Sequence, residues 1–266
     1  MRTNRPLGPA SWKTAPMGWV LDLDGVVWLA GQPIAGAAGA VDLLRGRGER
    51  VVFFTNNSGP ALAEHLAALA GAGVRTEPEE VLTSAQAAAR LLEPGARVAM
   101  LGGPGIEEAL TARGVALVGP GDKPAAVVVG RTTDLDYDEL AALAGAIRDG
   151  ARFVATNTDA TFPTPAGPVP GAGALVAFLQ AASGIDPEVA GKPHPPAVAL
   201  VRERLGEVAV VVGDRPDTDG WFARALGARF VLVLSGVTSR ADLPVDPAPD
   251  LVTENLAAAV TVNFPC

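Results

Sequence analysis

Cysteine, lysine and long apolar runs are scarce in this chain of 266 residues. Its single cysteine is Cys266, which excludes a disulfide within the chain and a metal cluster built from cysteines. The sequence holds no apolar run of the roughly 18 residues that a membrane-spanning helix needs. Lysine occurs only at Lys13, Lys123 and Lys192, although arginine is common. A lysine in such a chain is a candidate for a position that arginine cannot fill.

Basic residues are outnumbered by acidic ones. The formal net charge of −8 argues against a nucleic-acid partner and against an anionic membrane surface, because both favour basic patches. Residues 1–16 hold prolines and arginines but lack the apolar segment of a signal peptide. We therefore expect a cytoplasmic protein with neither a membrane nor a nucleic-acid partner.

The chain does contain a regular alternation of predicted strands and helices. Residues 17–69 indicate strand, helix, strand, polar loop and helix, which is typical of a parallel α/β unit. A second α/β pattern runs from Arg97 to Ala155, and further strands follow near Val208 and Arg229. We expect an α/β protein in which the second layer is inserted into the first.

The segment around Asp22 and Asp24 is the centre of the functional argument. Residues 17–23 predict a buried strand, and such a strand carries carboxylates only where something compensates their charge. The two-residue period of a strand places Asp22 and Asp24 on one side, and Leu21 and Leu23 on the other. Two acids held there suit a divalent cation and proton transfer. The alternative is an acidic turn after the strand, because Asp-Gly is a common turn pair.

Further polar groups follow other predicted strands and precede one helix. They are Thr55, Asn56, Lys192, Asp214 and Asp219. The carboxyl ends of parallel strands form the ligand crevice of an open sheet, so these groups are expected to converge with the acidic pair. Carboxylates suit Mg²⁺, while an ammonium and loop amides suit phosphate oxygens, so the set predicts a metal-bound phosphate. Taken singly, the same residues also fit turns and helix N-caps.

Four motifs make the chain resemble the haloacid dehalogenase (HAD) superfamily of phosphatases: Asp22-Leu23-Asp24-Gly25, Thr55, Lys192, and Gly213-Asp214 through Asp219. More narrowly it resembles subclass IIA, the 4-nitrophenylphosphatase group, which includes NagD-like, phosphoglycolate, glycerol-3-phosphate and pyridoxal-phosphate phosphatases. The motifs typical of that group are Thr55-Asn56-Asn57-Ser58, Gly191-Lys192-Pro193, Gly213-Asp214-Arg215 with Thr218-Asp219, and Thr156-Asn157-Thr158-Asp159. The resemblance covers nearly the whole chain.

The resemblance implies a fold and a domain organisation. The fold is a HAD-like three-layer core with a parallel sheet, plus an inserted α/β cap domain. Residues 1–83 and 190–266 would form the core, and residues 84–189 would form the cap. The cap of this group often mediates dimers, so a homodimer is a further expectation.

The resemblance also implies a role for each motif residue. Asp22 is the nucleophile that forms an aspartyl-phosphate, and Asp24 is the acid that protonates the leaving alcohol and then activates water. The carboxylates of Asp22 and Asp214 and the backbone carbonyl of Asp24 hold Mg²⁺. The remaining roles are phosphate binding, by Thr55, the Asn56 amide and Lys192, and support of the metal or of the lysine, by Asp219.

Elementary acid–base chemistry gives expectations for three of these groups. A free aspartate has a pKa of about 3.9, so Asp22 is expected to be ionised at neutral pH without help. Asp24 has to carry a proton for half of the cycle, and the charge of Asp22 together with partial burial should raise its pKa. Lys192 must stay charged among carboxylates, where the wider fork of arginine fits poorly.

Residues 156–173 predict an irregular, proline-rich loop of the cap that reaches the leaving group of the substrate. Its candidate contact residues are Asn157, Asp159 and Phe162, and Phe162 suits packing against an organic moiety. The alternative is a proline-stiffened surface loop.

Two positions near Asp219 depart from the family pattern. Pro216 stands where leucine is frequent, and Gly220-Trp221 stand where an aliphatic residue usually leads into a helix. A glycine at a helix start weakens it by roughly 1 kcal/mol relative to alanine. The geometry around Asp219 is therefore the part of the site that the motifs define least.

The function that follows is Mg²⁺-dependent hydrolysis of a phosphomonoester, on a small phosphorylated metabolite such as glycerol 3-phosphate or phosphoglycolate. Phosphatases of 4-nitrophenyl, pyridoxal or nucleotide esters are alternatives within the same family. A non-catalytic HAD-like scaffold would keep the same residues, and only an activity measurement separates it. A receiver-type signalling module also uses Mg²⁺, Asp, Thr and Lys, but its phosphorylated Asp lies on a later strand and its chain is much shorter.

Overall fold

A computed structural model describes residues 17–262 of the chain. The expectations that concern residues 1–16, including Lys13 and the lack of a signal peptide, and those that concern Cys266, lie outside the described residues. Within residues 17–262, no helix combines the length and the apolar character that crossing a bilayer requires.

Strands and helices alternate along the described chain, as the sequence pattern predicts. The strands are β1 (Gly18–Leu21), β2 (Trp28–Leu29), β3 (Gln32–Pro33), β4 (Arg50–Thr55), β5 (Val81–Thr83), β6 (Arg97–Leu101), β7 (Ala116–Leu117), β8 (Ala126–Val129), β9 (Arg152–Ala155), β10 (Thr161–Thr164), β11 (Gly167–Pro170), β12 (Glu188–Val189), β13 (Val210–Gly213), β14 (Arg229–Val233) and β15 (Leu251–Thr253). The helices are α1 (Ala37–Gly46), α2 (Leu62–Gly71), α3 (Ser84–Ala89), α4 (Pro104–Arg113), α5 (Tyr137–Arg148), α6 (Ala172–Ser183), α7 (Pro195–Leu205), α8 (Trp221–Leu226) and α9 (Leu256–Ala259).

Two parallel sheets organise these elements. The first has six strands in the order β15-β14-β13-β1-β4-β5, and β1 pairs in parallel with both β13 and β4. The second has five parallel strands in the order β12-β9-β8-β6-β7. The acidic segment therefore leaves the sheet from a central strand, with the ends of β4 and β13 on either side. The expected α/β fold is confirmed.

The core strands are apolar on both faces because helices cover both faces of the sheet. In β4, Val51, Val52, Phe53 and Phe54 are all at most 4% exposed. Successive side chains point to opposite faces, so Phe53 and Phe54 enter two different apolar clusters. A fully buried phenylalanine of this kind stabilises the fold by about 3–5 kcal/mol relative to alanine.

One apolar cluster joins the two sheets. It contains Phe54 of β4, Ala88 of α3, Ile106 of α4 and Val154 of β9, all fully buried. Protein interiors of this kind are close-packed and resist displacement. The second sheet is thus held beside the first by packed side chains as well as by its two chain connections.

The prediction of an irregular loop at residues 156–173 was wrong in its second half. Strands β10 and β11 form an antiparallel hairpin, in which Phe162 pairs with Val169 and Pro163 pairs with Pro168. Proline lacks an N–H and is confined to strand edges, and a two-stranded ribbon has only edges. The short strands β2, β3, β5 and β12 also escaped the sequence analysis, because two or three residues show no period.

The division into a core and an inserted cap remains a proposal. Every strand of the second sheet lies between Arg97 and Val189, inside the proposed cap of residues 84–189. The strands of the first sheet lie outside those bounds, and its β5 ends at Thr83. We use the words core and cap below for these two parts of the chain.

Candidate active site

A narrow cavity lies at the carboxyl ends of the core strands and is covered by loops of the cap. Nine of the ten site residues inferred from the sequence line it: Asp22, Asp24, Thr55, Asn56, Asn157, Asp159, Phe162, Lys192 and Asp214. Asp219, the tenth, is 0% exposed and lies directly behind Lys192. The topology of the parallel sheet explains the convergence, because it brings distant strand ends to one edge.

Lys192 stands between two carboxylates. Its Nζ donates to Asp22 Oδ1 at 2.7 Å, to Asp219 Oδ1 at 2.6 Å and to the carbonyl oxygen of Phe54 at 3.1 Å. Burial by itself lowers the pKa of the Lys192 ammonium, but the charges and hydrogen bonds of Asp219 and Asp22 outweigh it and raise the pKa. The three acceptors match the three hydrogens of an ammonium group, so the position suits lysine rather than arginine.

The carboxyl of Asp22 does not have the free pKa on which its expected ionisation rested. Burial raises the pKa of its carboxyl well above the ordinary value, and the negative charges of Asp219 and Asp214 add to the effect. The Lys192 charge and hydrogen bond act in the opposite direction. The ionised form of Asp22 thus depends on its neighbours, and any cation held by these acids would favour it further.

Asp24 has the raised pKa that an acid catalyst needs, and burial, one of the two causes expected, accounts for it. Burial raises the pKa of Asp24 to about 6, against a hydrogen bond from Trp28 Nε1 at 3.1 Å and the positive charge of Lys192. The charge of Asp22 is not among the causes of the shift. Desolvation therefore accounts for the raised pKa, and the sequence-based attribution to Asp22 was wrong.

Three buried carboxylates form a group that fits a divalent cation. One oxygen each from Asp22, Asp214 and Asp219 can be chosen so that all three lie within 4.8 Å of one another. Burial, followed by the charge of Asp219, raises the pKa of Asp214 to about 7. A Cβ at Gly25 or at Gly236 would overlap the Asp214 carboxylate, so glycines leave room around it. Clustered acids that repel one another in a small space suit a hard cation with oxygen ligands.

Asp219 differs from the other two acids of this group in its bonding. Its Oδ1 accepts from Lys192 Nζ, and its Oδ2 accepts from the backbone N–H of Arg215 at 3.1 Å. Both oxygens are thus engaged, whereas Asp22 uses Oδ1 and Asp214 uses Oδ2, which accepts from Val237 N at 2.5 Å. The bonding supports the role of orienting Lys192 and leaves Asp22 and Asp214 for a cation.

The side chain of Asn56 joins three parts of the chain. Its Oδ1 accepts from the Lys192 backbone N–H at 2.9 Å, and its Nδ2 donates to Asp159 of the cap at 3.2 Å. Its own carbonyl accepts from Ser84 Oγ at 2.7 Å and from Asn157 Nδ2 at 2.6 Å. Asn56 therefore fixes the lysine and the cap loop relative to the polar loop that follows β4.

That polar loop is a turn as well as part of the site. The backbone N–H of Asn57 donates to Thr55 Oγ1 at 3.0 Å, and that of Gly59 donates to Asn57 Oδ1 at 3.3 Å. Ser58 Oγ and Thr156 Oγ1 lie 2.9 Å apart, which ties the loop to the cap. The structure bears out the turn interpretation of Thr55 to Gly59, and this turn also places Thr55 and Asn56 at the cavity.

Comparisons with known proteins agree with this geometry. A profile described as haloacid dehalogenase-like hydrolase matches residues 19–116, and a HAD-hydrolase-like profile matches residues 189–259. The chain is 34% identical to an acid sugar phosphatase of Staphylococcus aureus over 85% of its own length and 89% of that protein. The chain belongs to the haloacid dehalogenase-like hydrolase family.

Another relative in this family is the D-glycerol 3-phosphate phosphatase of Mycobacterium tuberculosis, at 42% identity over 84% of this chain. The present chain spans 64% of the length of that relative. The crystal structure of the mycobacterial glycerol phosphate phosphatase in complex with magnesium has a TM-score of 0.84, 39% identity, and coverage of 91% of this chain and 75% of that one. The structure of the p-nitrophenyl phosphatase from Archaeoglobus fulgidus has a TM-score of 0.86 and 31% identity, and the match covers 92% of this chain and 98% of that one.

The departure from the HAD-family pattern at Gly220 leaves Asp219 in place. Pro216 to Gly220 form one turn of π-helix that leads into α8. A Cβ at Gly220 would lie 2.8 Å from Pro247 and 3.0 Å from the Phe230 ring, closer than side-chain contacts normally come. Glycine is therefore suited to the position by close packing, which offsets the weaker helix start that the sequence predicts.

Two arginines of the HAD-like site were missed by the sequence analysis. Arg131 and Arg215 both line the cavity, and the guanidinium carbon of Arg131 lies 4.2 Å from the ring centroid of Phe162. Arg215 Nη2 donates to the carbonyl oxygen of Thr161 in the cap hairpin at 3.4 Å. Arg131 follows Gly130 at the carboxyl end of β8, so the strand-end argument applied to the core strands would have found it in the cap.

Proposed function

We propose that the protein is a Mg²⁺-dependent phosphomonoester hydrolase that acts on a small phosphorylated metabolite through an aspartyl-phosphate. The observation that carries the proposal is the buried carboxylate of Asp22, 2.7 Å from Lys192 Nζ and within reach of Asp214, at a strand end that faces the cap. Membership of a hydrolase family whose relatives include several phosphatases supports the same reaction.

In this mechanism an oxygen of Asp22 attacks phosphorus and displaces the alcohol. The ester oxygen takes the proton of Asp24, and Asp24 then accepts a proton from the water that attacks the aspartyl-phosphate. The Thr55 side chain and the backbone amide of Asn56 hold phosphate oxygens. The positive charge of Lys192 offsets the negative charge of both the phosphate and the nucleophile. Phosphate and the free alcohol are the products.

The metal proposal assigns the cation to the carboxylates of Asp22 and Asp214 and to the backbone carbonyl of Asp24. When bound, Mg²⁺ supplies positive charge that offsets the repulsion between carboxylate and phosphate oxygens. The magnesium complex of the mycobacterial relative supports the choice of ion. The chain itself contributes acids whose pKa values are raised by burial. A bound cation would stabilise the ionised form of these acids.

The size of the site favours a small ester. The cavity between core and cap has a volume of about 50 Å³, and a cleft of about 550 Å³ opens beside it between Trp28, His65 and the cap hairpin. The phosphate would occupy the cavity, and the alcohol would lie towards Phe162 and Asp159. Relatives that hydrolyse glycerol phosphate and sugar phosphates support substrates of this class. Glycerol 3-phosphate and phosphoglycolate are the favoured candidates, ahead of 4-nitrophenyl, pyridoxal and nucleotide esters.

The location and the assembly are also proposed. The low cysteine content supports a cytoplasmic protein, and the net charge of −8 supports small-molecule rather than nucleic-acid partners. On the cap, Leu135, Tyr137 and Phe178 are 50%, 74% and 41% exposed, which supports a homodimer formed through this part of the chain.

The proposed function predicts Mg²⁺-dependent phosphate release. We expect turnover of glycerol 3-phosphate, phosphoglycolate or 4-nitrophenyl phosphate with Mg²⁺, and none in the presence of a chelator, because the acids then lack their cation. A phosphate-release assay over these esters, pyridoxal phosphate and nucleoside monophosphates measures this. Mg²⁺ binding without turnover of any ester would contradict the proposal and favour the scaffold alternative.

The acid role of Asp24 predicts a dependence on the leaving group. Asp24→Asn is expected to lower kcat/KM for glycerol 3-phosphate by about 10²–10⁴-fold, the usual contribution of general acid catalysis. The loss should be much smaller for 4-nitrophenyl phosphate, whose alcohol leaves without protonation. Since the pKa of Asp24 is raised to about 6, wild-type kcat/KM on the alkyl ester should fall as pH rises above that value. Equal losses on the two esters would show that Asp24 is not the acid.

A further inference from the structure

Arg131 belongs to the cap and lines the cavity, and one N–H of its guanidinium group lacks a hydrogen-bond acceptor in the described chain. It follows β8 and places its guanidinium carbon 4.2 Å from the ring centroid of Phe162, also on the cap. Its Nε is buried and has no hydrogen-bond partner among residues 17–262. A buried N–H without an acceptor costs free energy, so such a group is expected to find an acceptor in a ligand.

The other cations of the cavity are engaged with acids of the site. Lys192 is bound between Asp22 and Asp219. The pKa of Arg215 is raised against the opposing effect of burial, first by the charge of Asp159 and then by that of Asp214. Arg131 forms no ion pair with any acid of the described chain, and its charge has only the last-ranked effect on the pKa of Asp24. Arg215 forms no ion pair in residues 17–262 either, but its Nη2 donates to the carbonyl oxygen of Thr161. Arg131 is therefore the cation of the cavity, within the described chain, that has a buried N–H without an acceptor.

We propose that Arg131 recognises a carboxylate on the alcohol part of the substrate, with Phe162 holding the guanidinium plane in position. The proposal rests on the phosphatase function above and narrows its substrate class to phosphomonoesters whose alcohol carries a carboxylate. Asp24, which protonates the leaving oxygen, lines the same cavity as Arg131 and Phe162, so the alcohol part lies between them. A planar guanidinium pairs with a carboxylate through two parallel hydrogen bonds, and the small cavity favours that group over a second phosphate.

Matched substrate pairs test this assignment. The first pair is 3-phosphoglycerate and glycerol 3-phosphate, and the second is 2-phosphoglycolate and 2-hydroxyethyl phosphate; each pair differs by a carboxylate in place of a hydroxymethyl group. The wild-type full chain with Mg²⁺ is expected to favour the carboxylate of each pair by at least about tenfold in kcat/KM. Arg131→Gln should bring both ratios close to one, mainly by raising KM for the carboxylates.

Two further variants separate recognition from structural support. Arg131→Lys should restore part of the preference, because the charge returns without the planar fork. Arg148→Gln removes one charge from the exposed end of α5 and should leave both ratios unchanged. Thermal unfolding of each variant verifies that the cap is folded.

The outcomes are distinct. A wild-type ratio near or below one, or a ratio that Arg131→Gln leaves unchanged, overturns the proposal while the phosphatase function stands. If no ester is hydrolysed, 4-nitrophenyl phosphate included, the phosphatase function fails instead. Calorimetric binding of 3-phosphoglycerate and glycerol 3-phosphate to the full chain then decides the role of Arg131, since a preference lost in Arg131→Gln supports it and equal affinities overturn it.

Discussion

Asp22→Asn is expected to lower kcat for every phosphomonoester by about 10⁴-fold or more, to the limit of detection. The amide keeps the size of the side chain and an oxygen that accepts from Lys192, but it is not a nucleophile towards phosphorus. The measurement is phosphate release under saturating Mg²⁺, with substrate and metal each raised until the rate no longer changes. High Mg²⁺ separates the loss of the nucleophile from a loss of metal affinity, because Asp22 is also a proposed metal ligand.

The matched control for this change is Asp42→Asn, on the exposed face of α1. It makes the same chemical substitution away from the cavity and should retain wild-type turnover. A second readout is the covalent intermediate, which should be trapped on the wild-type chain during turnover and should be missing from Asp22→Asn. Turnover by Asp22→Asn at a rate within about tenfold of wild type would rule out Asp22 as the nucleophile.

Lys192→Met is expected to abolish activity and also to destabilise the fold. Methionine keeps an unbranched side chain, but it leaves the carboxylates of Asp22 and Asp219 buried without their counter-ion. Removing one partner of a buried ion pair costs roughly 3–5 kcal/mol in the free energy of unfolding. Chemical denaturation in the presence of a chelator measures the loss, and Lys123→Met, at an exposed lysine, is the matched control.

The destabilisation by Lys192→Met should grow as pH rises. Burial already holds the pKa of Asp22 above its ordinary value of 3.8, and loss of the ammonium raises the pKa of Asp22 further. A group with a raised folded pKa contributes stability that is complete below its unfolded pKa and is lost as pH rises through its folded pKa. Lys192 in the wild type stays charged while Asp22 titrates, because the pKa of the Lys192 ammonium is itself raised.

The difference in unfolding free energy between wild type and Lys192→Met should therefore widen over the interval in which pH rises above the ordinary aspartate pKa of 3.8. Denaturant titrations at several pH values in that interval measure it. A difference that is constant with pH, or that narrows, would mean that the buried carboxylates are not the source of the instability.

The part of the site that could be predicted from sequence is the part carried by strand ends. Asp22 and Asp214 directly follow apolar strands and Thr55 ends one, and a parallel sheet brings the carboxyl ends of its strands to one edge. Lys192 precedes a helix rather than ending a core strand, but its residue type is rare in this chain. Local pattern and residue type were therefore enough to select the acids and the lysine.

The sequence analysis missed features that depend on how deeply a side chain is buried and on contacts between segments far apart in the chain. The pKa of Asp22 is governed by burial, and the sequence predicts a buried strand without showing how deeply the carboxyl at its end lies. Arg131 becomes a site residue only because the cap covers the core and brings Arg131, together with its neighbour Phe162, to the cavity. The hairpin of β10 and β11 was missed because its prolines oppose strand formation in every setting except a ribbon edge.

The bonds of Asn56 have a consequence for how parts of this family can be exchanged. One side chain bonds the lysine segment and the cap loop, and the same residue's carbonyl bonds Ser84, where the chain enters the cap. A chimaera that receives the cap of a relative would therefore disturb the lysine if the graft changed Asn157 or Asp159. A chimaera designed to change substrate specificity should therefore take Asn56, Ser84, residues 157–159 and Lys192 from the same parent protein.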